Sequence, residues 1–365
     1  LSFPARSWNK PTMSLAPRRS ALAILKNLDH GNLTLDHHMD RFHLESRFDR
    51  RDEAFVTALV YGVLRWRRRL DWLISTVSTT PLAKLDPSVI NIVRMGLYQI
   101  IFMDRVPNSA AVNTSVDLTK ALKKKWLTGF VNGVLRNALR RLPEIELPSS
   151  EKDPIQALSV SQSMPKWLVK RWINQFGQQD ATFLCEAANR IPRLTLRTNT
   201  LKTDQATLIS NLQTIAEVVR PSVYAPDGIV LEGLKGFLFS SPAFDKGWFQ
   251  VQDEAAQAVS YLLAPKPGQT VLDACAGLGG KTAHIAALLE NFGHITATDR
   301  DGRKLEKLDK EMQRLGITIV SSQTADLESI NTSYHPEQFD RILLDAPCSG
   351  LGVIRRNPDA KWTRR

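Results

Sequence analysis

The chain has 365 residues, 43% of them hydrophobic, which leaves room for roughly two or three domains with real cores and argues against a disordered chain. Lys and Arg number 48 against 37 Asp and Glu, and the net charge of +11 favours a polyanionic partner without choosing among RNA, DNA and an anionic membrane. The three cysteines, Cys185, Cys275 and Cys348, form no Cys-x-x-Cys pair, so neither a disulfide framework nor a metal site is expected, and reduced thiols suit a cytoplasmic protein.

Residues 1–13 carry Pro4 and Pro11 with Arg6 and Lys10, lack the apolar run of a signal peptide, and read as a disordered tail with Met13 as a candidate start. From 14 to 145 the spacing is helical. Ser20 is placed to cap a helix through Ala21, Ile24, Leu25 and Leu28. Val56, Leu59, Val60, Val63 and Leu64 repeat the one-faced stripe, as do Val89, Ile92, Val93, Leu97 and Ile100, and then Val131, Val134, Leu135 and Ala138. Such helices bury their stripes on one another, which predicts a compact all-α domain. The most apolar stretch, 89–103, is interrupted by Asn91 and Arg94 and is too short to span a membrane, so no membrane association is expected. Two basic clusters, Arg65-Trp66-Arg67-Arg68-Arg69 and Lys123-Lys124-Lys125-Trp126, suit either a solvated helix face or RNA docking. The His37-His38 pair reads as surface and Cys185 as core.

Residues 146–250 read as a polar, proline-rich linker followed by a small α+β subdomain. Within it the pattern predicts a helix over 167–176, a half-exposed strand in which Leu194, Leu196 and Thr198 alternate with Thr195, Arg197 and Asn199, and a helix over 206–218. Residues 251–365 alternate strands and helices. Strands fall at 271–274, 294–299, 318–320 and 339–344, with helices over 281–290 and 303–315. This predicts a doubly wound parallel sheet, in which ligands lie outside the carboxyl ends of the strands.

Those strand ends carry the chemistry. Asp273-Ala274-Cys275-Ala276-Gly277-Leu278-Gly279-Gly280-Lys281 makes a strand–turn–helix whose glycines admit a ligand close to the backbone and whose helix start offers unpaired N–H groups. The dinucleotide fingerprint fails because Thr282 stands at its third glycine. A glycine cluster alone is an ordinary turn, but three further acids favour a cofactor crevice. Asp299 ends the second strand, where an acid holds a ribose hydroxyl pair and repels a phosphate. Asp326 follows the third strand, in position to accept from an adenine amino group, and Asp345 follows the fourth, in position to bond the N3 edge of a pyrimidine. Cys348 lies just beyond, in Asp345-Ala-Pro-Cys-Ser-Gly350. A thiolate there can add to C6 of a pyrimidine and make C5 a carbon nucleophile, and a buried structural cysteine is the alternative. Arg355, Arg356, Lys361 and Trp362 suit phosphate contact and base stacking, or equally a solvated charge run.

These residues resemble the RNA 5-methylcytosine methyltransferases. Asp273–Lys281 is similar to their cofactor loop, Asp345-Ala-Pro-Cys348-Ser to their fourth motif, and Gly352–Trp362 to the segment that follows it. Trp248–Asp253 resembles the approach to the cofactor loop, and Leu196-Arg-Thr-Asn199 a strand of the RNA-binding subdomain. Tyr61-Gly-Val-Leu-Arg65 and Val131-Asn-Gly-Val-Leu-Arg136 resemble a NusB-like helical domain, a fusion typical of the 16S ribosomal RNA methyltransferases of the Sun/Fmu (RsmB) type.

The resemblance implies a multidomain protein: an all-α NusB-like RNA-binding domain over 14–145, a small α+β RNA-recognition subdomain within 146–250, and an α/β Rossmann-like methyltransferase domain over 251–365. It implies S-adenosyl-L-methionine as cofactor, 16S ribosomal RNA as partner, C5 of a cytosine as target, and a cytoplasmic monomer. Cys275, Ala276, Gly277, Leu278, Gly279, Gly280 and Lys281 would line the methionine and ribose end of the cofactor. Asp299 would bind the ribose, Asp326 the adenine side, and Asp345 would face the substrate. Cys348 would assist product release, and Arg355, Arg356 and Lys361 would contact RNA. Gly277-Leu278 departs from the Ala-Pro usual in the family. The family's nucleophile lies in a Thr-Cys-Ser motif that would fall beyond Arg365, so the sequence as it stands is expected to have an incomplete sheet, weak cofactor binding and no turnover. The alternative is a non-catalytic RNA-binding or ribosome-assembly factor, against which the four strand-end acids weigh.

Overall fold

Residues 14–31, 33–236, 238–326 and 336–363 are described by the computed structural model, so the tail expected over 1–13 lies outside the described residues, as does Arg365 at the other end. The chain divides into two compact units: one holds the described residues up to Ile191 together with those from Ser349 onward, the other is Pro192–Cys348.

The first unit runs through helices α1 (Ala16–His30), α2 (Leu35–Glu45), α3 (Arg50–Val77), α4 (Pro87–Phe102), α5 (Asn108–Ala121), α6 (Thr128–Arg141), α7 (Pro154–Ser161) and α8 (Lys166–Asn189). The start of α1 differs from expectation. Pro17 sits in its first turn, where a fixed φ suits helix initiation and the missing N–H is no loss, and Ser20 lies inside the helix. Thr34, Asp49 and Asp86 accept backbone N–H groups at the starts of α2, α3 and α4. The predicted stripes form the core: Val56, Leu59, Val60 and Val63 of α3 are buried with Val89, Ile92, Val93 and Leu97 of α4 and Val131 and Leu135 of α6. Gly62 lets α3 and α4 approach, since a Cβ there would lie 1.9 Å from the Tyr98 ring.

The basic run on α3 is packed rather than solvated. Arg65 is buried, Arg67 pairs with Asp29 at 3.2 Å, and Arg69 lies over the Trp66 ring at 5.7 Å. In the second cluster Lys124 pairs with Asp86 and Trp126 is exposed. Helix α8 breaks at Gly177, whose φ is +81°, and the helix expected over 167–176 is its first half. Cys185, on the second half, is buried among Leu158, Met164, Val169 and Ala181. No helix of the described residues is long and apolar enough to cross a membrane.

The second unit begins with β1 (Leu194–Thr198), α9 (Gln205–Leu212), β2 (Ala216–Pro221), β3 (Gly228–Leu234), α10 (Pro242–Asp245) and β4 (Phe249–Val251). The strands form an antiparallel sheet in the order β2-β3-β1-β4. Here β1 is an inner strand. Thr195 and Arg197 are buried as well as Leu196, so the half-exposed strand read from the alternation is covered on both faces. The helix expected over 206–218 stops at Leu212, and the β-branched pair Val218-Val219 lies on β2.

There follow α11 (Glu254–Leu263), β5 (Thr270–Asp273), α12 (Gly280–Leu288), β6 (His294–Asp299), α13 (Gly302–Leu315), β7 (Val320–Thr324) and β8 (Arg341–Leu343). The second sheet has the order β7-β6-β5-β8, every pairing parallel. The chain winds outward from β5 through β6 to β7 and then returns to the other side of β5. That reversal makes the carboxyl ends of β5 and β8 the topological switch point, where such sheets hold ligands. Strand β7 starts later than expected. Ile317 is buried and Ile319 packs against the same core, whereas the strand itself is the polar Ser321-Ser322-Gln323-Thr324 at the outer side of the described sheet.

The final described helix, α14 (Ala360–Thr363), belongs to the first unit. Ile354 and Lys361 of this closing segment are buried, and the Trp362 Nε1 donates to the Leu64 carbonyl at 2.7 Å.

Candidate active site

The turn between β5 and α12 is held largely by main chain. Ala274 N donates to the Leu343 carbonyl at 2.9 Å, Ala276 N to the Thr298 carbonyl at 2.8 Å, and Gly279 N to the Ala276 carbonyl at 2.9 Å. The ends of β6 and β8 thus strap the turn from both sides. Gly277 has φ +58° and Gly279 φ +83°, a region that glycine enters without strain. Around Gly277 and Gly280 an added Cβ would meet no atom within 4 Å, so backbone there borders open space.

The acids fall into two kinds. Asp273 is 1% exposed and accepts from the Thr282 hydroxyl at 2.7 Å. Burial raises its carboxyl to about 6, opposed by the Thr282 bond and the Lys281 charge. It is a structural acid beneath the turn. Asp299, at the end of β6, accepts from Gly277 N at 3.1 Å and Asp301 N at 2.9 Å, with Lys304 Nζ at 3.7 Å. Each carboxylate oxygen takes more than one donor, so Asp299 keeps capacity for a ligand while it shapes the turn. Asp345 is exposed and pairs with Lys281, joining the loop after β8 to the glycine turn. Asp326 is exposed beyond β7 and lines a cavity of about 590 Å³ with Arg300, Asp301, Gly302, Arg303, Thr324 and Ala325.

Cys275 is half-buried, and burial, together with Asp299, Asp273 and Asp345, pushes its thiol up. Asp299 and Asp345 both reach the glycine turn, through Gly277 N and Lys281 respectively. Cys348 is exposed three residues after Asp345, on the loop leaving the carboxyl end of β8.

The closing segment departs from expectation. Lys361 is 1% exposed, and its Nζ donates to the carbonyls of Arg65 at 3.1 Å and Ser163 at 3.3 Å and to the Asn189 Oδ1 at 2.7 Å. An ammonium has three donors, and all three are engaged within the protein. The expectation that Lys361 meets RNA phosphate is therefore corrected. Arg65 in turn donates to the Arg355 carbonyl at 2.8 Å, Leu35 N donates to Asp359 at 3.2 Å, and Asn357 donates to Asp36 at 2.8 Å. Arg355 and Arg356 are half-buried.

Sequence reasoning passed over Lys304 and the Thr282 hydroxyl. Thr282 was signalled by its place, since it replaces the third fingerprint glycine in the first turn of α12, within reach of the Asp273 carboxylate it bonds.

Residues 260–365 match the family described as 16S rRNA methyltransferase RsmB/F, residues 15–140 the NusB family, and residues 164–235 the ferredoxin-like domain of RsmF/B-like methyltransferases. The chain is 39% identical over 348 residues to the probable ribosomal RNA small subunit methyltransferase B of Synechocystis sp., covering 95% of this chain and 78% of the relative. It is 34% identical over 356 residues to the ribosomal RNA small subunit methyltransferase B of Pseudomonas putida, covering 96% and 77%. Its fold is shared with the crystal structure of PH0851, at a TM-score of 0.75 and 24% identity, covering 100% of this chain and 79% of that one. A glycine turn at the switch point of a parallel sheet, joined to these matches, defines an S-adenosyl-L-methionine-dependent methyltransferase with a NusB-like helical domain. The chain belongs to the ribosomal RNA small subunit methyltransferase B family.

Proposed function

We propose that the protein methylates C5 of a cytosine in 16S ribosomal RNA. The observation that carries this reading is the exposed Cys348 on the loop leaving β8, where Asp345 of the same loop pairs with Lys281 of the glycine turn. A thiol on that loop suits the addition and elimination chemistry of a pyrimidine ring, here its release step, and has no use in methylation of an exocyclic amine.

The turn fits S-adenosylmethionine. Open space at Gly277 and Gly280 admits a ligand against the backbone, and the Asp299 carboxylate favours ribose hydroxyls over a phosphate. Bound there, the cofactor supplies an electrophilic methyl group. Cys275 to Lys281 line its methionine and ribose end, Asp299 takes the ribose, and Asp326 the adenine side. Asp345 faces the pyrimidine. Thiolate addition at C6 would make C5 the carbon nucleophile, which takes the methyl group as the sulfonium S–CH3 bond breaks and leaves S-adenosylhomocysteine. Loss of the C5 proton then returns the electron pair that expels the thiolate, and Cys348 serves this release. Arg355 and Arg356 contact RNA, without Lys361. The domains follow as 14–145, 146–250 and 251–365, with the closing segment anchored in the helical unit. A ribosomal substrate places the protein in the cytoplasm, and we propose that it works as a monomer.

Deleting the gene is expected to remove one 5-methylcytosine from 16S ribosomal RNA, read by bisulfite sequencing, and the gene restores it. Restoring the gene with Cys348→Ala is expected to leave protein covalently held on RNA in a denaturing gel. Loss of a methyl group from an exocyclic amine or a ribose instead, or no loss at all, overturns the reading.

A further inference from the structure

Arg197 of β1 and Asn199, one residue beyond the strand's end, reach from the small sheet to the helices of the second. The Arg197 Nη1 donates to the Gly280 carbonyl at 3.1 Å and its Nη2 to the Gln250 Oε1 at 3.1 Å. Gly280 is the first residue of α12, the point at which the glycine turn becomes helix. Two residues along, the Asn199 Nδ2 donates to the Gly247 and Leu315 carbonyls, both at 2.8 Å, and Leu315 is the last residue of α13. The end of β1 and the residue that follows it therefore grip the start of α12 and the end of α13.

Arg197 is 1% exposed, and among the described residues no carboxylate forms an ion pair with it. Asp227, Tyr261 and Glu311 act on its charge only from a distance, and burial draws it down to about 10, so it stays charged at neutral pH. A buried, unpaired guanidinium is costly, and an apolar side chain would fill the same volume at less cost. The charge is spent on a carbonyl of the turn. Gly277, Gly279 and Gly280 give that turn more backbone freedom than any other residues would, and freedom left in a binding loop is lost again when the ligand orders it.

We propose that Arg197 is a positioning residue for the methyl donor, holding the Gly279–Gly280 turn in the shape that receives S-adenosylmethionine. This rests on the cofactor reading given above. Arg197 acts through the Gly280 carbonyl while Asp299 holds Gly277, so two points of the turn are fixed by side chains from separate strands.

The test uses the full chain with Arg197→Lys, which keeps the charge and loses the fork, and Arg197→Met, which loses both. Hydrogen exchange is followed at amides 277–283 and at β3, and the S-adenosylmethionine affinity is measured by calorimetry. For Arg197→Lys the turn amides are expected to exchange about 10-fold faster with β3 unchanged, and the Kd to rise about 10-fold, as for one charge-assisted hydrogen bond. Arg197→Met is expected to exceed both changes. If it does not fold, Arg197→Lys decides alone. Unchanged exchange in the turn, a loosened turn with unchanged affinity, or equal loss of protection in β3 each overturn the proposal. Wild-type protein that binds no S-adenosylmethionine overturns the cofactor reading, and the exchange data then report separately whether Arg197 anchors the turn.

Discussion

The glycine turn at 274–281 and the closing segment at 354–362 keep their shapes by opposite means. The turn is fixed mainly by backbone hydrogen bonds to the ends of β6 and β8, and space beside Gly277 and Gly280 stays open. The segment is fixed by side chains, with Lys361, Trp362, Asp359 and Asn357 all bonded into the helical unit. A main-chain scaffold leaves polar side chains available to a ligand. A side-chain scaffold consumes them. The same residue types, Lys and Asp near a strand end or a helix, thus serve recognition in one region and anchorage in the other.

The largest expected effect tests the anchorage. Lys361→Met strands two carbonyls and the Asn189 amide oxygen in a buried site, and should cost the helical unit on the order of 4 kcal/mol in urea unfolding. A cost below about 1 kcal/mol would show that the segment is not held by that side chain.

The second prediction concerns the acid under the turn. Burial raises the Asp273 carboxyl from 3.8 to about 6, so the folded chain binds the extra proton between those values. Its contribution to stability is then fully present below pH 3.8 and is lost as pH rises through 6. Against Asp273→Asn, wild-type protein should lose on the order of 3 kcal/mol across that window. Urea midpoints of the two proteins that run parallel with pH would break the distinction between a structural and a ligand-facing acid.

Third, Gly279→Ala combines φ +83° with a Cβ 2.7 Å from the Leu308 side chain and should cost about 2 kcal/mol. Gly277→Ala has φ +58° and no atom within 4 Å, leaving backbone strain alone, about 1 kcal/mol. Equal costs in chemical denaturation would mean that the two ends of the turn are packed alike. The last effect is read in binding: Asp299→Ala removes the acceptor of Gly277 N and should weaken S-adenosylmethionine about 10-fold by calorimetry.

The strand ends were readable because apolar runs such as Val271-Leu272 stop at an acid and a glycine, and the two signals coincide. The helical stripes were readable for the same reason, since one face of each helix meets one core. What escaped was every case in which an element meets two layers. Thr195 and Arg197 alternate with apolar residues as a solvent face does, yet a second layer covers them. Lys361 sits in a charged stretch, and only the tertiary fold supplies the three acceptors that bury it. Strand β7 carries Ser, Gln and Thr, which an outer strand tolerates and which apolar periodicity does not mark.

The three thiols differ in a way that gives the molecule a handle. Cys185 is buried and its thiol is pushed up to about 12, and Cys275 is half-buried and also raised, whereas Cys348 is exposed. Alkylating dyes react with accessible thiolates. A maleimide fluorophore at neutral pH therefore reacts at Cys348 ahead of Cys185 and Cys275, and RNA docking at the proposed base pocket can be watched from there.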